Sequence, residues 1–262
     1  MNLTKESKMT IKNKRIVPLA FLSFAGAYLL TFLTIYVSTF IKSDILGTVV
    51  EYIGYYMLSA IDFITPAILA AIVLVLYAYC STSTMITSAF LIAAASTLYV
   101  LPTTYLEYVY TYGSVEAIIF ALSGSVRAIL FILIGVFASV WASTFVLGRV
   151  LHKTHTEVKE YLPELLHEKS STDFLKPANL PILVFVLIRF VIELIKEIVY
   201  TVTFFITYGS DYSGTEIFTM LFNYVWLFTL LVAAYILVGR IKDALCRFAV
   251  KEESSTEDLT VE

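Results

Sequence analysis

LPILVFVLIRFVIELIKEIVYTVTFFI, residues 180–206, is long and apolar enough to cross a bilayer, yet it carries Arg189, Glu193, Lys196 and Glu197. A hydrocarbon core of about 30 Å takes roughly 20 helical residues. Charged side chains at that depth are costly, usually face a protein interior or a water-filled cavity, and mark a functional site by default. Four of them cost about 10–14 kcal/mol on the insertion scale, against about 6–11 returned by the segment's 19 Ile, Leu, Val and Phe residues. This helix is marginal alone and needs polar partners from its neighbours.

The rest of the chain agrees with a membrane setting. Of 262 residues, 59% are hydrophobic and only 15% charged, with a mean hydropathy of +0.83. Soluble domains run nearer 25% charged. The expected fold class is an all-α polytopic membrane bundle of about six helices, spanning 16–41, 57–80, 85–101, 126–148, 180–208 and 217–238. These lie within a membrane domain over 16–251, after a basic segment 1–15 and before an acidic, disordered tail 252–262. The first span reads as a retained signal anchor, because its apolar run outlasts an h-region and no cleavage site follows. The 17-residue third span is at the short limit.

Orientation follows from the basic residues. With both termini in the cytoplasm, fourteen of the 18 Lys and Arg lie in inner segments, and Lys42 alone lies outside. That bias sets topology. It places the protein in the cell membrane with the lipid bilayer as its principal partner. Tyr52, Tyr55, Tyr56, Tyr99, Tyr105, Tyr108, Tyr110 and Tyr112 collect towards the outer side, where an aromatic belt belongs. A net charge of −3 gives no basic face for nucleic acid. Cys80 and Cys246 are too few for a disulfide framework.

Residues 115–151 form a Pro-free helical pattern of about 55 Å, longer than the core. Arg127 then falls at the outer interface, with 116–125 projecting outward or folding back around Gly124. Gly135, Ser139 and Ser143 repeat every fourth residue, a spacing that lets helices approach closely. The cytoplasmic connection 149–179 reads as a continuation of that helix, with Leu151, Val158, Leu162 and Leu165 on one face and Glu157, Glu160, Glu164 and Glu168 on another. It would lie on the membrane or dock on a partner subunit such as an ATPase. Three spans plus three would give halves of opposite topology, but no residue similarity links them.

The chemistry concentrates in a few residues. Arg189, Glu193, Lys196 and Tyr200 recur at i, i+4, i+7 and i+11 on one helix face, with Glu197 beside them. Asp62 and Arg127, near the outer ends of the second and fourth spans, complete a set of three acids and three bases. Pro66 lacks an N–H, leaving the carbonyl of residue 62 without its helical donor. A carboxylate beside a freed carbonyl is the local chemistry of transporter cation sites. Arg189 and Glu193 also have the spacing of an intrahelical pair.

Other chemistries have less behind them. A Schiff base on Lys196 would be expected in seven spans with an aromatic box. His152, His155 and His167 lie outside the bilayer, which leaves intramembrane haem unsupported, and His-x-x-His matches by chance too often to name a metal. Walker, nucleophile-elbow and zinc-protease motifs are absent. No cofactor and no catalytic residue is expected. The leading expectation is a small transporter or permease-type subunit with a polar site in the outer half of the bundle. The alternative is a non-catalytic assembly subunit, including a homo-oligomer, whose charges form an ion-pair network. An intramembrane enzyme acting on lipid has only the outer-facing bases in its favour.

Overall fold

The computed structural model describes residues 3–38, 44–79, 82–170, 173–208 and 214–257. Its elements are α1 (Leu3–Ser38), α2 (Asp44–Tyr79), α3 (Thr82–Ala93), a 3-10 turn (Ala94–Ser96), α4 (Thr97–Tyr112), α5 (Ser114–Leu151), α6 (His155–His167), α7 (Leu180–Tyr208) and α8 (Gly214–Glu257). No strand occurs among the described residues. Cys80 lies outside them, and Cys246 is buried on α8.

Among the described residues, five stretches are long and apolar enough to cross a membrane: Val17–Val37, Ile45–Tyr79, Met85–Tyr112, Ser114–Leu151 and Ile217–Cys246. At 29 residues α7 has the length, and its four charged residues remove it from that set. The long helices run up and down between two ends. The basic end holds α6 and the start of α7, and the tyrosine-rich end holds the α4–α5 turn.

α2 is the axis of the bundle, packing against α1, α3, α5, α6, α7 and α8. Its residues 69–76 are apolar on every side and all are buried. A helix apolar all round is stable only with neighbours all round. Ile92 of α3, Val136 and Leu147 of α5, Ile182 and Val186 of α7 and Val238 of α8 fill the space around it. The half of the bundle towards the basic end is therefore solid.

Several boundaries differ from the sequence expectation. The third span is not short, because helix continues through the 3-10 turn and past Pro102 to Tyr112. Gly113 then reverses the chain at φ +90°, a conformation that strains any side chain. α5 is one helix from Ser114, so 116–125 does not fold back around Gly124. α2 begins at Asp44, and α8 continues as helix through 252–257, where disorder was expected.

The connection after α5 is not a continuation of it. His152 closes α5 in a left-handed conformation, and Thr154 and Glu157 form a capping box that starts α6 afresh. The Glu157 carboxyl is held below the usual carboxylate range by hydrogen bonds from the Thr154 backbone N–H and hydroxyl. Val158, Leu162, Leu165 and Leu166 of α6 are buried against α2, α5 and α8, so its apolar face is covered by its own chain. Glu157, Glu160 and Glu164 face outward. Tyr79 Oη lies 3.0 Å from His167 Nε2. On α8 the buried Lys242 donates to the Glu168 carbonyl at 2.7 Å and pairs with Asp243 at 3.2 Å, while the Ser170 N–H donates to Asp243 at 3.0 Å.

Hydroxyls inside the spans mostly serve their own helices. Thr31, Ser125, Ser139 and Thr229 each donate to the carbonyl four residues back. That satisfies the O–H where no water competes, without joining helices.

Candidate functional site

Above the solid half, α1, α2, α4, α5 and α7 enclose a cavity of about 1110 Å³. Its floor is made by Ala67, Phe185, Ile132 and Ser139, and its upper wall by Glu107, Tyr108, Phe120 and Ser123 near the α4–α5 turn. Arg189 lies nine residues into α7, about 14 Å along the helix. Lys196 is about 10 Å higher. The cavity thus runs from the middle of α7 towards the tyrosine-rich end.

The sequence placed seven residues in a site, and the structure brings four to the wall: Asp62, Arg127, Arg189 and Lys196. Asp62 is exposed within the cavity and has no ion pair among the described residues. It shares the cavity wall with Arg189 and Lys196. Pro66 lines the cavity one turn below, where its missing N–H leaves the Asp62 carbonyl undonated. Arg127 is likewise exposed and without an ion pair among the described residues.

Glu193 stands behind the wall and holds both α7 bases. Arg189 Nη2 lies 2.7 Å from Glu193 Oε1, and Lys196 Nζ donates to the same oxygen at 2.9 Å. The Arg189 and Glu193 side chains are 21% and 22% exposed, that of Lys196 63%. Arg189 Nε is buried and has no acceptor. The expected intrahelical pair therefore exists, on an arginine that also lines the cavity.

Glu197 and Tyr200 do not join this group. Glu197 is absent from the cavity wall, and on the neighbouring α2–α8 contact Tyr56 donates to Asn223 at 3.4 Å. Tyr200 is exposed and rests on Phe204. One hundred degrees per residue separates Glu197 from Lys196, enough to send the two carboxylate and ammonium groups to different interfaces.

Sequence reading missed Glu107, Tyr28, Ser96, Tyr99 and Thr104, all of which line the cavity. Ser96, Val100, Thr104, Glu107 and Tyr108 fall at i, i+4, i+8, i+11 and i+12, one face of a helix. That face was legible once 102–112 is read as helix rather than outer loop. Tyr28 offered no such signal; it is buried on α1 and lines the cavity with Asp62. Gly135 and Ser139 were read as a close-packing stripe, but both line the cavity, and a Cβ on Gly135 would meet nothing within 4 Å. The small side chain here creates space instead of contact.

Among the described residues no group of three or more His, Cys, Asp and Glu is placed to hold a metal ion. His155 packs against Tyr77, and His167 against Tyr79. Comparison with protein-family models, curated proteins and solved structures finds no match.

Proposed function

We propose that this chain is a small membrane transporter or permease-type subunit whose solute site is the charged cavity. Six spans cross the bilayer in this reading, α7 among them, with both termini and α6 in the cytoplasm and the cavity opening outward. The carrying observation is that cavity itself: Asp62, Arg127, Arg189 and Lys196 converge on 1110 Å³ of space at membrane depth, above a packed half. Charges that only fasten helices would be expected to have filled surroundings. A site at mid-depth, open to one side and closed to the other, is what alternating access requires.

Two measurements test this. In a background with Cys80 and Cys246 replaced by Ser, cysteines at Ser123, Thr104 and Ser139 should react with an impermeant thiol reagent from outside, and one at Ser143 should not. In proteoliposomes, flux across a panel of protons, sodium, amino acids and organic acids should fall in Arg189→Gln and Glu193→Gln. Unchanged flux in folded variants removes the site.

The shared carboxylate of Glu193 favours a second reading, an assembly subunit whose ion pairs are architectural. There, exchanging Arg189→Glu with Glu193→Arg restores the stability that each single change loses. A partner subunit would then meet the outward acidic face of α6.

A further inference from the structure

The wall of the cavity is divided by chemistry. One part is ionic and of mixed sign, with Asp62 and Glu107 against Arg127, Arg189 and Lys196. The other is an apolar strip where α5 faces α7, including Phe131, Ile134 and Ile192. Those three are 67%, 65% and 40% exposed. Side chains so uncovered form a lip, since behind a closed wall they would be packed. At this depth a lip between two spans faces acyl chains, so the cavity is wet at its ionic side and opens sideways to hydrocarbon.

A small, fully polar solute would leave the apolar strip unused, and a plain hydrocarbon would leave five ionised groups beside it. Arg127 is free of ion pairs among the described residues, and Arg189 lines the cavity with one nitrogen, Nη2, committed to Glu193. These donors call for an oxyanion, which takes guanidinium bonds in pairs. Asp62, on the same cavity wall and likewise without an ion pair among the described residues, calls for a cation beside that anion. We infer that the cavity takes a zwitterionic amphiphile, its phosphate or carboxylate on Arg189 and Arg127, its ammonium on Asp62, and its hydrocarbon tail leaving between α5 and α7. This rests on the cavity being a ligand site, and it names the ligand class that the transport reading leaves open.

The test is equilibrium binding to the purified full chain in maltoside micelles, using four probes. Dioctanoyl phosphoethanolamine carries the whole pattern. Dioctanoyl phosphatidic acid lacks the ammonium, dioctanoylglycerol lacks the ionic head, and phosphoethanolamine lacks the tails. The first should bind saturably and at least about tenfold more tightly than each of the others, the loss expected when a charged hydrogen bond or the tail burial is removed. Asp62→Asn should abolish the preference for phosphoethanolamine amphiphile over phosphatidic acid, weakening the first and, with a repelling carboxylate gone, not weakening the second. Gly135→Phe, whose ring enters open space on a helix, should weaken both amphiphiles with an unaltered elution profile. Phosphoethanolamine alone binding as tightly as its dioctanoyl form would overturn the amphiphile and leave a soluble zwitterion. Phosphatidic acid or dioctanoylglycerol binding equally well, or no probe binding, would overturn it too. Binding without flux would leave this inference standing and end the transport reading. Flux of a soluble solute with no amphiphile binding would do the reverse.

Discussion

Glu193 is the side chain whose loss the bundle should feel most. Its one oxygen compensates two cations, Arg189 at 2.7 Å and Lys196 at 2.9 Å. Removing one member of a fully buried pair costs about 3–5 kcal/mol, because the other charge is left uncompensated. Arg189 is 21% exposed, and the cavity solvates part of it, so Glu193→Gln should cost about 2–4 kcal/mol. Lys196 is 63% exposed and its pair resembles a surface one, so Lys196→Gln should cost about 1 kcal/mol or less. Arg189→Gln should fall between, since Glu193 keeps Lys196. The double change Arg189→Leu with Glu193→Leu should lie near the native value, as buried pairs replaced together often do. Neutralising Glu193 also eases insertion of α7, which acts on yield, so stability must be followed on purified protein. Thermal unfolding in micelles, monitored by fluorescence-detected gel filtration, gives the order. Equal and small losses for Glu193→Gln and Lys196→Gln would refute the reasoning, because Arg189 would then be fully hydrated without its partner.

Three further outcomes follow from local geometry. Gly113→Ala forces a Cβ onto φ +90° and should lower stability by about 1–3 kcal/mol, read as a shift in the unfolding midpoint; no shift would mean that the α4–α5 turn relaxes. Gly54→Val places a Cβ 2.6 Å from Ile35 Cγ1, an overpacking of about 1–3 kcal/mol at the α1–α2 contact. Ile35→Ala should recover most of it, and failure to do so would put the strain elsewhere. The depressed Glu157 carboxyl makes its contribution to α6 fully present above the unfolded value near 4.3. That contribution fades as pH falls through the lower folded value. Amide exchange in the first turn of α6 should speed up over that acidic window in the native chain and show no such window in Glu157→Gln.

The membrane class and most helices were legible because apolar runs of spanning length have few other uses. α7 shows the limit of that signal. Length and apolarity alone reject it for its four charges, while its regular i, i+4, i+7 spacing predicts a polar face turned to protein. The structure turns Arg189 and Lys196 to the cavity and Glu193 to both of them. The third span was underestimated because Pro102 and a tyrosine-rich stretch look like a loop, although one missing N–H need not end a helix whose neighbours pack it. Glu107 was lost with that stretch. The start of α6 was written in Thr154-x-x-Glu157, a capping signature hidden by the apparent continuity of the pattern from α5. Gly135 shows what a sequence cannot hold: whether a small residue admits a neighbouring helix or leaves a void depends on what stands opposite.

The cross-links of this bundle are unevenly shared. At its foot, Lys242, Asp243 and Ser170 join α8 to the segment after α6, and Tyr79 joins α2 to α6 itself. Higher up, Tyr56, Asn223 and Thr201 with Tyr224 bind α2, α7 and α8 into one leaf. Between that leaf and α5, the lip of the void is apolar, with Phe131 and Ile134 on one side and Ile192 on the other. Apolar contacts slide and re-form at little cost, while polar ones hold a fixed geometry. In the transport reading, a bundle riveted below and pressed together at that lip yields there, with its jaws parting around the charges.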